Sequence, residues 1–258
     1  MCLILFAYKI HPKYPLIVAA NRDEFFHRPT KHAYFWEDHP NILAGRDLEK
    51  MGTWMGVTIQ GRFSAITNYR DFKESLEGKQ SRGHIVTNAL QYDGNLYDYM
   101  NKLKEKNHLY PGYNLLAGDK DKLYYYSNRQ GKVIEVEPGI HGLSNAFLNT
   151  PWPKVQTGKE GLKKILESEE NLIENLFQLL QKSEPFPDEM LPNTGVPLDW
   201  ERKLSPLFIQ MPDYGTRAST IMLMGYEEIT YVERTYHPVT KTTEEKSYHF
   251  PYWKLALN

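Results

Sequence analysis

Apolar residues cluster in short runs, and the turn residues between them set the first elements. Leu3–Ile10 and Leu16–Ala20 are nearly unbroken apolar runs on either side of His11-Pro12-Lys13-Tyr14-Pro15, which predicts a hairpin opening the chain. Thr53–Ile59 and Arg62–Thr67 flank Gln60-Gly61, a two-residue connection whose glycine accepts positive φ. Asn114–Ala117 and Lys122–Ser127 repeat the pattern around Gly118-Asp119-Lys120-Asp121. Helical spacing takes over at His84–Gln91 and Leu96–His108, where apolar residues fall at 96, 99, 100 and 103. It returns in Val155–Ser168 and Glu170–Lys182, the second with an apolar face of Leu172, Ile173, Leu176, Leu179 and Leu180. Ser183–Arg202 carries four prolines and reads as a long loop, a lid or an edge. Strands resume at Ser219–Met224, and Thr230–Tyr236 with Glu245–Phe250 form a closing hairpin around Pro238–Thr243. Strands, helices, strands, two long helices and strands again make an α+β order, helices layered on antiparallel sheets.

Composition narrows the function. The 258 residues carry 31 Lys+Arg against 32 Asp+Glu, so the basic excess of a nucleic-acid binder is missing. No window reaches the length of apolar residues that spans a bilayer, so no stable membrane insertion is expected. The opening apolar run lacks a basic stretch before it and is broken by Lys9, unlike a secretory segment, so the expected location is cytoplasmic. A length of 258 residues suits a single domain over 1–258. The one cysteine, Cys2, excludes an intramolecular disulfide and a Cys-based zinc site, and the nine histidines form no HExxH or His-x-His motif. No Walker A loop, GxGxxG or GxSxG elbow occurs.

Cys2 carries the strongest chemistry. Removal of Met1 would leave a cysteine whose thiol and α-amine lie within a few ångströms of each other. They titrate near ~8.5 and ~7.7, so nucleophile and base come from one residue. The competing reading is a small hydrophobe at the start of a strand. Asn21-Arg22-Asp23-Glu24 switches abruptly from core to hydrogen-bonding groups at the end of the second predicted strand. If the first two strands form a hairpin, Arg22 or Asp23 lies beside Cys2. There an Asp could hold the amine and an Arg would favour thiolate, whereas a solvated loop is the bland alternative. Three further segments end apolar runs in an amide or guanidinium: Thr67-Asn68-Tyr69-Arg70, Leu143-Ser144-Asn145 and Gly215-Thr216-Arg217. An Asn amide can donate to an oxyanion and Arg217 can grip a carboxylate, although Asn also favours turns and Arg surface pairs. Haem ligation by a histidine or Cys2 stays open, since it needs only one residue.

These residues carry a resemblance. Met1-Cys2, Ala20–Glu24, Gly45-Arg46-Asp47, Gly52–Gly56, Thr67–Arg70, Asn114-Leu115-Leu116, Gly142–Asn145, Thr150–Lys154 and Tyr214–Arg217 together resemble the NRDE family, also called transport and Golgi organisation protein 2-like, over essentially the whole chain. That family is similar to the N-terminal nucleophile (Ntn) hydrolases of the penicillin V acylase and bile salt hydrolase type. The resemblance implies a four-layer αββα sandwich. It implies Cys2, Arg22, Asp23, Asn68, Asn145 and Arg217 as catalytic residues, with Asn21, Glu24, Trp54 and Tyr69 around the substrate. The hydrolases separate their Arg and Asp by two residues whereas Arg22 and Asp23 are adjacent, so either Asp23 or Glu24 takes the Asp role. The expected activity is amidohydrolysis of a small linear amide such as an N-acyl compound, with an apolar acyl pocket supplied by aromatics and the Ser183–Arg202 loop. No cofactor or metal is required. The alternative is a non-catalytic haem or acyl-lipid carrier on the same fold, as haem or lipid handling is associated with eukaryotic relatives. The expected partner is a small-molecule amide or a hydrophobic ligand such as haem, and self-association into an oligomer is compatible with the sequence.

Overall fold

Strand β1 (Cys2–Tyr8) is buried on both faces, and this explains its unbroken apolar run. Ile4, Phe6 and Tyr8 point into one core, and Leu3, Leu5 and Ala7 into another. The computed structural model describes residues 2–168, 170–237, 240 and 242–252. The predicted opening hairpin forms: β1 runs antiparallel to β2 (Leu16–Phe25), with Cys2 opposite Arg22 and Tyr8 opposite Leu16. Strand β2 does not stop at Ala20 as the polar switch suggested. It continues to Phe25 because β11 (Tyr214–Met224) pairs along its other edge, from Met224 opposite Leu16 to Tyr214 opposite Phe25.

Two sheets face each other. One takes the order β10-β1-β2-β11-β12-β13, where β10 is Gly139–Leu143, β12 Glu228–Tyr236 and β13 Thr243–Pro251. The second takes the sequential order β3 to β9. It holds β3 (Thr30–Phe35), β4 (Ile42–Asp47), β5 (Met55–Thr58), β6 (Phe63–Asn68), β7 (Tyr113–Gly118), β8 (Leu123–Ser127) and β9 (Lys132–Glu135). The β5–β6 connection contains the predicted glycine, with Gly61 at φ +87°. Strands β3, β4, β9 and β10 escaped the pattern reading. They are short, and β9 has one mostly exposed face, so their apolar signal is diluted.

Helices cover both outer faces. α1 (Gly83–Gln91) and α2 (Leu96–Glu105) pack Ile85, Val86, Met100 and Leu103 on the second sheet. α3 (Pro153–Ser168) and α4 (Leu172–Leu180) pack Val155, Leu162, Leu176 and Phe177 on the first. Between the sheets lies a third core of Phe6, Val18, Val57, Phe63, Leu116 and Met222. The layering is therefore αββα, the four-layer α+β sandwich expected from the sequence. Ser183–Arg202 is not loop throughout. It contains a 3₁₀ turn at Asp188–Met190 and runs into α5 (Leu198–Leu204), which starts directly after Pro197. The turn expected at Pro238–Thr243 lies largely outside the described residues. No helix among the described residues is long and apolar enough to cross a membrane.

Candidate active site

Cys2 opens β1, half-buried, between two neighbours that the sheet brings to it. Arg22 faces it across β2. On the other edge Ile4 pairs with Leu143 of β10, so the chain leaving β10 carries Ser144 to the Cys2 carbonyl, where its hydroxyl donates at 3.3 Å. The thiol lies in the wall of a cleft of about 250 Å³ together with Arg22, Asp23, Glu24, Trp54 and Asn68. Six of the ten residues singled out from sequence thus meet in one cavity. They come from β1, β2, β6 and the loop before β5.

Each has a physical setting. The Arg22 guanidinium is buried, 4.3 Å from the centre of the Trp54 ring and 3.7 Å from the Glu24 carboxylate. Its Nη1 has no hydrogen-bond partner. Asp23 is buried and accepts from the Thr216 hydroxyl at 2.7 Å. Burial raises the Asp23 carboxyl above the ordinary range, and the nearby positive charges of Lys154 and Arg22 oppose the rise. Burial also raises the Cys2 thiol, with the Asp23 charge adding to it and Arg22 opposing. Asn68 ends β6 with its carbonyl accepting from the Asn145 amide at 3.0 Å.

Four expected residues are held elsewhere. Asn145 stands one layer behind the wall: its amide donates to Asn68, and its Oδ1 accepts from Ser144 at 3.3 Å. Asn21 is spent away from the cleft. Because side chains alternate along a strand, it points to the α4 face, where it donates to the carbonyls of Leu180 and Leu207 and accepts from Ser219 at 2.6 Å. Tyr69 packs its ring on Phe147, centroids 5.0 Å apart, outside the cleft wall. Arg217 donates to three backbone carbonyls, of Phe25, Phe26 and Arg28, at 2.9–3.2 Å. It pins the chain as it leaves β2 and does not reach the thiol cleft. The bulge in β11 between Thr216 and Ala218 lets it do so, since the extra residue re-aims this side chain. The proline-rich segment packs against Arg70 and Lys154 and does not line the cleft beside Cys2, whose wall mixes charged side chains with Trp54, Ile66, Leu76 and Pro111.

Sequence reading missed several charges. Arg28 leaves β2 and grips Asp47 through Nε at 3.2 Å and Nη2 at 2.6 Å. Arg82 precedes α1, lines the cleft and donates to the Gly112 carbonyl at 3.0 Å. Beneath Asp23, Lys154 is buried, donates to the Leu204 carbonyl at 2.7 Å and is pulled by burial down to about 8. Arg70 and Glu201 form a buried ion pair at 2.9 Å. The Asn-Tyr-Arg and Trp-Pro-Lys triplets were the available signals, but only the tertiary fold brings Arg70 and Lys154 together. No group of three or more metal-ligating side chains occurs among the described residues.

A family model described as Transport and Golgi organisation 2 matches residues 1–238. A Homo sapiens relative, "Transport and Golgi organization protein 2 homolog", is 36% identical over 257 residues, covering 91% of this chain and 93% of its own. A Drosophila melanogaster relative, "Transport and Golgi organization protein 2", is 27% identical over 262 residues, covering 91% and 92%. Among solved structures, a Caenorhabditis elegans N-acylethanolamine-hydrolyzing acid amidase ortholog superposes with a TM-score of 0.53 at 10% identity, covering 86% of this chain and 92% of that one. At that identity the likeness is one of fold. The residue motifs, the αββα layers and the family match agree, and the chain belongs to the Transport and Golgi organisation 2 family.

Proposed function

We propose that the protein is an amidohydrolase in which Cys2, exposed as the N-terminal residue by removal of Met1, cleaves a small amide. The observation that carries the reading is that Cys2, Arg22, Asp23 and Asn68 share the wall of a single cleft, with Arg22 opposite Cys2 and Ser144 holding the Cys2 carbonyl. The thiol proton passes to the free α-amine as sulfur attacks the carbonyl carbon. The tetrahedral oxyanion takes an N–H from Asn68, and Asn145 fixes Asn68 through its carbonyl. Collapse breaks the C–N bond, the leaving amine takes the proton, and water then hydrolyses the thioester. Asp23 holds the α-amine and Arg22 steadies the developing thiolate.

The charged side chains in the cleft wall suit the polar amide group of such a substrate. Intact mass spectrometry of protein purified from cells, with turnover of an N-acyl amino acid panel by wild type and Cys2→Ala, tests the reading. The expected result is loss of one methionine and activity confined to the wild type. Retained Met1, or equal turnover by both forms, overturns it. Stoichiometric haemin binding that survives Cys2→Ala, without turnover, would instead favour the carrier.

A further inference from the structure

The cleft beside Cys2 holds more positive than negative charge, and its cations are unequally satisfied. Arg28 is neutralised by Asp47 and lies 3.9 Å from Glu24; Arg22 lies 3.7 Å from the same Glu24. Arg82 is different. Among the described residues it has no carboxylate within ion-pair distance, and it donates to a neutral carbonyl, that of Gly112. It sits at the N-terminus of α1, whose first turn contains no acidic residue and no side-chain cap. A half-buried guanidinium at the positive end of a helix dipole, without a counter-charge, is a site that an anion would neutralise. A second observation points the same way. Arg22 is nine-tenths buried in the same wall, and its Nη1 finds no partner in the protein. Lys79 borders the cleft three residues before Arg82, with its ammonium on the His108 carbonyl at 2.7 Å.

We infer that Arg82, supported by the N-terminus of α1, is an anion-recognising subsite that selects amides bearing an acidic group close to the scissile bond. The site stands apart from Arg217, whose Nη1 is occupied by three backbone carbonyls. The inference rests on the amidohydrolase reading for the bond that is cut, but the recognition can be measured without any cutting. The ligand is a small organic anion, a carboxylate or a phosphate monoester.

The test is binding to the full-length Cys2→Ala protein by isothermal titration with three probes sharing one acyl chain: N-hexanoylglycine, N-hexanoyl-O-phosphoethanolamine and the neutral N-hexanoylglycinamide. At least one anionic probe is expected to bind tenfold or more tightly than the neutral one, and the tighter anion tells carboxylate from phosphate. The preference should shrink at high salt, fall below twofold with R82Q and partly return with R82K, which keeps the charge. Equal binding of all three probes, no measurable binding, or a preference that survives R82Q overturns the inference. Failure of the catalytic reading is seen separately, as absent turnover by wild type beside an intact anion preference.

Discussion

Arg22 stacks its guanidinium on the Trp54 ring at 4.3 Å while standing directly opposite Cys2 across the β1–β2 pair. Trp54 is itself wedged against Gly45 of β4, where a side-chain carbon would fall inside the indole ring. A chain of contacts therefore runs from a glycine in the second sheet to the cysteine in the first.

Gly45→Ala displaces the indole and with it the support under Arg22. Overpacking of this kind costs about 1–3 kcal/mol. The expected outcome is a lower urea midpoint with unchanged m-value, together with slower alkylation of Cys2 by iodoacetamide. A wild-type alkylation rate would show that Trp54 does not hold Arg22 in place.

Cys2→Ala should remove amide turnover by about a thousandfold or more, as loss of a nucleophile does elsewhere, with little change in the thermal midpoint. Because burial raises the thiol, the iodoacetamide rate of the wild type should keep rising beyond the ordinary cysteine range of ~8.5. A plateau near neutrality in a pH-rate profile would contradict a raised thiol.

The buried pair Arg70–Glu201 ties α5 to the end of β6, and Glu201 also accepts from the Thr194 backbone N–H at 2.8 Å. Glu201→Ala strands a buried guanidinium, so a loss of about 3–5 kcal/mol is expected by chemical denaturation. Limited proteolysis should shift to the proline-rich stretch before α5. Replacing both partners by apolar residues should cost less than the single change.

Glu233 on β12 is buried and accepts from the Ala33 backbone N–H and the Thr220 hydroxyl. Burial raises its carboxyl from 4.5 to about 6. The folded state therefore holds this proton more tightly than the unfolded chain. Its contribution is complete below pH 4.5 and is lost as pH rises through 6, a change on the order of 2 kcal/mol. Glu233→Gln should flatten the stability profile across that window; a slope equal to wild type would assign the pH dependence to other groups.

Much of this was readable from residue order. The apolar runs of β1 and the start of β2, the Gln60-Gly61 turn and the helical faces of α1 to α4 follow from local periodicity and turn chemistry, which depend on neighbours in the chain. That Arg22 or Asp23 lies beside Cys2 was legible too, because the two strands form a hairpin; the register, with Cys2 opposite Arg22, came from the structure. What the tertiary structure decided is how each polar group is spent. Asn21 and Arg217 looked like site residues, yet one secures a helix end and the other a backbone corner, through partners far away in sequence. Arg82 gave no signal of its own and Lys154 only its place in the Trp-Pro-Lys triplet; their surroundings arise only when strands and helices from distant parts of the chain pack together. A side chain's type is local information, whereas its burial and its partners are set by the whole fold.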